Sequence, residues 1–311
     1  MVGIVKKIRK GLGIALSVTL VGVFSIAVSA CGKSNNSAEK GTKDNPVVLG
    51  VVKASDSQWD ILKTDLEKDG IYIELKNFTD YTSENPATVR GELDINAFQH
   101  LDYLAGYNND SHETLVPIGA KAIFPIGFYA NPNGSVKAVS DIHEGAHIVV
   151  PNDETNGNRA LLLLEELGLI KLTNKKGTYS TVQDIDKTSK VKVTAVDPAQ
   201  TAHSLSDPSI VAAVINNDYT KDIGLKTTDA IAREKSDGDF VKRYTNVWVT
   251  RKADAEKEIY KKIVKHASED KKYLDAVQAD SSGTAVIVTK YTAKELQDIL
   301  QKLQDEKKAN A

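Results

Sequence analysis

The chain has 311 residues, 26% of them charged, with 40 basic and 42 acidic side chains and a formal net charge of −2. Residues 1–30 hold four basic side chains and no acidic ones, so the remainder sits near −6; this argues against nucleic acid as a partner, because binding phosphates needs a basic surface. A single cysteine excludes an internal disulfide and a Cys-based metal cluster, and the length suits two domains.

Lys6, Lys7, Arg9 and Lys10 precede a nearly uninterrupted apolar run from Leu12 to Ala30, and the lone Cys31 follows the small residues Ser29 and Ala30. A basic start, an apolar middle and a small-residue cleavage site make a secretory signal. Val28-Ser29-Ala30-Cys31 reads as a lipobox, with Val28 where Leu is usual. The expectation is a signal peptide over residues 1–30, lipid on Cys31, and work on the extracytoplasmic face of the cell membrane. The alternative is an uncleaved span, since the run is about long enough to cross a bilayer. Residues 31–45, rich in Ser, Asn, Gly and Lys, read as a flexible tether.

Folding is expected from Pro46. Val47–Val52 is a β-rich run, Trp59, Ile61, Leu62 and Leu66 recur at helical spacing, Gly70 stops the helix, and Ile71–Leu75 is the next strand. This β-α-β order predicts α/β layers. Asn131-Pro132-Asn133-Gly134 is a turn signal and a candidate boundary. Beyond it, Ala146–Val150, Val191–Val196, Ile210–Ile215 and Asn246–Thr250 read as strands, and Arg159–Leu167, Ala253–Ala267 and Ala293–Leu303 as helices. The division that follows is a first lobe of residues 46–130 plus 246–311 and a second of 131–245.

Three clusters carry chemistry. Asn156 reads as an N-cap, which places Arg159 in the first helical turn, where the helix dipole disfavours a cation. A bound carboxylate would remove that conflict, with backbone N–H groups and the guanidinium fork converging on it; the alternative is a solvated surface arginine. Asn216 ends an apolar strand, where ligands of open α/β sheets bind, and its oxygen could accept from an ammonium; the alternative is a simple turn. Phe98, His100 and Tyr103, with Tyr81, could line a mostly apolar pocket suited to a thioether; the alternative is ordinary core. His143 and His147 have a zinc-like spacing interrupted by Gly145 and read as structural. No nucleophile, P-loop or metalloprotease motif is present after the signal, so neither catalysis nor a cofactor or resident metal is expected.

Together these segments resemble the NlpA family of lipoproteins, methionine-binding components of ABC importers. The resemblance rests on Asp94–His100, Val150–Asp153 with Thr155-Asn156 and Arg159–Leu164, Gly168–Leu172, Ala213–Asn216, Phe78-Thr79-Asp80-Tyr81, and Tyr244-Thr245-Asn246 with Val249-Thr250-Arg251. It implies a two-lobed, periplasmic-binding-protein-like α/β fold with methionine in the cleft. Arg159 would take the ligand carboxylate, Asn156 and Asn216 would fix the carboxylate and ammonium ends, and Tyr81, Phe98, His100 and Tyr103 would enclose the side chain. It also implies an ABC permease and its ATPase subunit as partners. Asp56-Ser57-Gln58-Trp59 replaces the family's Pro-His-Ala-Glu, and a helical tail replaces its glycine-rich end. That tail is similar to members from Gram-positive bacteria, which keeps a methionine-containing dipeptide or another small amino acid open as the ligand. A surface adhesin without a transport role is the rival of another class.

Overall fold

The computed structural model describes residues 39–174 and 179–310. The expected signal, Cys31 and most of the tether therefore lie outside the described residues. Among those described, no helix is long and apolar enough to cross a membrane.

The Val-rich run forms β1 (Val47–Val52). Trp59, Leu62 and Leu66 then face the core from one side of α1 (Ser57–Lys68), and β2 (Ile73–Phe78) returns parallel to β1 with Val47 opposite Ile73. The lobe continues through α2 (Glu84–Val89), β3 (Ile95–Asn96), α3 (Leu101–Ser111), β4 (Leu115–Ala120) and β5 (Ala122–Ile123). The chain then crosses to a second sheet: β6 (Gly127–Ala130), β7 (His147–Pro151), α4 (Glu154–Glu166), β8 (Lys192–Val196), α5 (Pro198–Thr201), β9 (Ile210–Ile215), α6 (Asn217–Thr220) and β10 (Ala232–Arg233). It returns through α7 (Asp239–Tyr244), β11 (Val247–Arg251), α8 (Glu258–Glu269), α9 (Lys271–Asp280), β12 (Val286–Ile287) and α10 (Ala293–Asn310). The first sheet has the order β2-β1-β3-β11-β4 and the second β10-β6-β9-β7-β8. In each, a parallel set is closed by antiparallel strands. One core gathers Trp59, Trp248, Tyr260 and Tyr273 under the first sheet, and another gathers Ile148, Val150, Leu161 and Leu164 under the second.

Three expectations need correction. The boundary falls before residue 130: Gly127–Ala130 pairs antiparallel with β9, Gly127 opposite Ile215, so β6 belongs to the second sheet. The Asn-Pro-Asn-Gly turn lies inside that lobe, where the Asn131 amide donates to the Ile210 carbonyl at 2.9 Å. The chain is back in the first lobe before residue 246, because α7 already packs on α3 and α10. Finally, residues 39–45 are not free tether. The Tyr72 amide donates to the Gly41 carbonyl at 2.8 Å, and Lys40 pairs with Asp94 at 2.6 Å.

Candidate functional site

The two sheets present their strand ends to each other, and a small cavity lies between them, with the mix of apolar and polar walls that small-molecule sites have. Tyr81, Phe98, His100, Tyr103, Asn156, Arg159 and Asn216 all line it, with Gln99, Phe124, Asn217, Asp218 and Asn246. The structure thus brings together every ligand-binding residue expected from the sequence.

The first lobe supplies the apolar wall. Tyr81 stacks on Phe98 with centroids 5.9 Å apart, and Tyr103 meets Phe98 edge-on at 5.8 Å. The Tyr103 hydroxyl donates to the Tyr81 carbonyl at 3.0 Å, and the Tyr81 hydroxyl donates to Asp218 at 2.6 Å. The segment carrying Phe98 and His100 is held from beneath by buried amides. Asn85 donates to Gln99 at 2.8 Å and Gln99 to Asn96 at 2.9 Å. His100 is the N-cap of α3: its Nδ1 accepts from the Tyr103 amide at 3.0 Å. A neutral ring whose Nδ1 accepts must carry its proton on Nε2, which faces Asn156 Oδ1 at 3.3 Å. Burial, with the Arg159 charge nearby, holds the His100 pKa well below the ordinary histidine value, so the imidazole is neutral.

The second lobe supplies the polar wall. Asp153, not Asn156, caps α4: its carboxylate accepts from the Asn156 amide at 2.9 Å. Aspartate competes well for this role because it is a charged acceptor at the positive helix end. The helix therefore starts at Glu154 and Arg159 falls in its second turn, not its first. The dipole conflict is answered from within the chain. Arg159, 4% exposed, donates through Nε to Glu234 at 3.2 Å and pairs with the same carboxylate through Nη2. It also reaches the Phe124 carbonyl at 3.1 Å and Asn156 Oδ1 at 3.0 Å, and lies over the Tyr244 ring at 4.5 Å. Burial works against its charge, but Glu234 outweighs that and keeps its pKa above the ordinary value. One Nη1 hydrogen is left for a ligand, not the whole fork. Gly157 makes the geometry feasible, since a Cβ there would meet the Pro151 carbonyl oxygen at 2.8 Å.

The end of β9 is the opposite case. Asn216 Oδ1 and both amide atoms of Asn217 are buried without a hydrogen-bond partner. The Asn246 side chain also faces the cavity. Sequence reasoning missed Asn217, Asn246, Asp218 and Glu234 as site residues. For Asn217 and Asn246 the available signal was position, one at a strand end and one just before β11. For Glu234 there was none, because it sits in a run of mixed charge. His143 and His147 do not converge: His143 is exposed, and His147 bonds Thr194 at 2.8 Å.

The sequence profile of NlpA lipoproteins matches residues 47–287. The chain belongs to the NlpA lipoprotein family. It is 34% identical to the D-methionine-binding lipoprotein MetQ of Salmonella typhimurium over 265 residues, covering 84% of this chain and 93% of that one. Among solved structures it is similar to the substrate-binding protein of a methionine transporter from Streptococcus pneumoniae. That likeness has a TM-score of 0.72 and 34% identity, covering 78% of this chain and 95% of the other. It is also similar to a nutrient-binding protein from Burkholderia cenocepacia bound to methionine, with a TM-score of 0.69 and 32% identity, covering 78% and 99% of the respective chains. The two-lobed, periplasmic-binding-protein-like α/β fold of this NlpA family member follows from the same likeness.

Proposed function

We propose that the protein is an extracytoplasmic solute-binding protein that captures methionine between its lobes and hands it to an ABC permease. The observation that carries this reading is the single cavity in which an aromatic wall faces a charged and amide wall. Tyr81, Phe98 and Tyr103 take the thioether chain, whose sulfur packs well on ring edges. The remaining Nη1 hydrogen of Arg159 and the Asn246 amide take the carboxylate. The unpartnered Asn216 oxygen, with Asn217 and Asp218, takes the ammonium. Closure of the lobes around the ligand is the expected motion. No group in the site is placed to act as an activated nucleophile, so the protein binds and releases without making a bond. Lipid on Cys31 would hold it at the membrane, and a separate ATPase subunit would drive transport.

A second reading is favoured by one feature. A further small cavity adjoins the first and shares Phe98, Phe124, Asn217, Asp218 and Asn246 with it. It is lined by Gln58, Trp59, Lys121, Asp56 and Asp280, and the Gln58 oxygen and Trp59 indole nitrogen are buried without partners. Burial pushes the Lys121 ammonium down to about 8. This chamber reaches Asn217 and Asp218, the groups given to the ammonium, as well as Asn246, so it suits a residue joined to the amino group of methionine, as in an X-Met dipeptide.

The test is calorimetry on refolded, ligand-stripped protein with L-methionine, D-methionine, Gly-Met and norleucine. Methionine binding that is lost in Arg159→Ala supports the first reading. Tight binding of Gly-Met alone, lost in Lys121→Met, selects the second. Binding only of a ligand without sulfur overturns both.

A further inference from the structure

The family match ends at Ile287, yet the chain continues into α10, an amphipathic helix. Leu296, Leu300 and Leu303 recur at four- and three-residue spacing and bury against Leu101, Leu104 and Leu115 of the first lobe. Lys307, four residues further, lies on the same face of the helix. Its side chain is only 6% exposed, although lysine is almost never buried without a partner.

Its partners come from both lobes: Asp102 of α3 lies at 4.0 Å within the first lobe, and the closer ones belong to the second. The ammonium pairs with Glu154, the first residue of α4, and sits 3.5 Å from the centre of the Tyr179 ring. Tyr179 in turn donates to Asp102 of α3 at 2.5 Å, and Arg243 of α7 donates to both Asp102 and the Tyr179 hydroxyl at 2.9 Å. The segment with Tyr179 is tied to α4 by the Ser180 amide, which donates to Asn158 at 2.9 Å. A charged contact therefore runs from a helix outside the family match to the helix that carries Asn156 and Arg159.

We infer that α10 is a latch, in which Lys307 grips Glu154 and Tyr179 and thereby favours the closed arrangement of the lobes. Lys307 is a positioning residue, acting on the ligand through α4. The latch rests on the binding-protein reading for its purpose, but lobe separation can be measured whatever the ligand is.

The experiment uses the mature chain with Cys31→Ser and spin labels on cysteines at the exposed Asp60 and Glu144, one on each lobe. Distances are measured with and without methionine in wild type, Lys307→Met, Glu154→Gln and the double variant. Methionine dissociation and thermal melting are followed on the same proteins. Lys307→Met should shift the distances to longer values and speed dissociation roughly three- to tenfold, and the double variant should add little to either single one. Unchanged distances in both conditions overturn the latch, including when the melting temperature falls, since that outcome leaves Lys307 a purely structural role. If wild type does not bind methionine, the ligand assignment fails and the distance comparison alone decides the latch.

Discussion

The two ends of the polar wall are built on opposite principles. On α4, four of the five Arg159 N–H groups are already committed, to Glu234, Asn156 and Phe124. At the end of β9, Asn216 Oδ1 and the whole Asn217 amide have no partner, a condition that costs about 1–3 kcal/mol per group when no ligand or water answers it. The first end is fixed by the chain itself, and on the proposed reading the second would be completed by the ligand. Preorganisation of one end lowers the ordering cost of binding, while the unmet groups of the other give the ligand something to gain.

The largest effect should come from breaking the committed end. Arg159→Met leaves Glu234 buried and unpaired, so urea unfolding should show a loss of about 3–5 kcal/mol, and Arg159→Met with Glu234→Leu should recover much of it. A loss below about 1 kcal/mol in the single variant would mean the pair is not the anchor described. Next, Gly157→Ala forces α4 away from the Pro151 carbonyl. It should cost about 1–3 kcal/mol of stability and weaken methionine binding by displacing Asn156 and Arg159.

Asn216→Ala should do the reverse of Arg159→Met. Affinity should fall by about 1.5–3 kcal/mol, the scale of a hydrogen bond to a charged group, with stability unchanged or slightly higher because an unmet buried oxygen is gone. Equal losses of stability in the two variants would erase the contrast.

The smallest effect concerns His100, which is shared by both walls. Its folded pKa lies below its unfolded value, so the unfolded chain binds more protons as pH drops below about 6.5. Stability present at neutral pH is then lost on acidification, with a slope no steeper than about 1.4 kcal/mol per pH unit. His100→Asn, which retains an N-cap acceptor, should flatten that difference between pH 7 and 5; parallel curves would place the acid sensitivity elsewhere.

Much of this was legible in the sequence, for definite reasons. Unbroken apolar runs exposed β1 and β9, which are buried almost throughout, and helical spacing exposed α1, which buries one side. The aromatic cluster and Arg159 stood out as costly residue types beside strand and helix ends. What stayed hidden depends on distance along the chain. Glu234 meets Arg159 across 75 positions, and no local pattern marks such a pair. β6 is short and holds Gly127, so the conspicuous Asn-Pro-Asn-Gly turn after it drew the boundary to the wrong place. The cap of α4 was misjudged because Asp153 and Asn156 are both good cap residues, and only the backbone decides between them.

Arg159 has one more consequence. The chain passes between the sheets through residues 124–126 and again after Arg233, and the guanidinium holds the Phe124 carbonyl from the first passage and Glu234 from the second. The Ile126 amide donates to that same Glu234 at 2.8 Å, so both crossing segments are stapled at one carboxylate. On the proposed reading, a solute held by this cation would pull directly on the segments about which the halves turn, so that grip and rotation would become a single mechanical event.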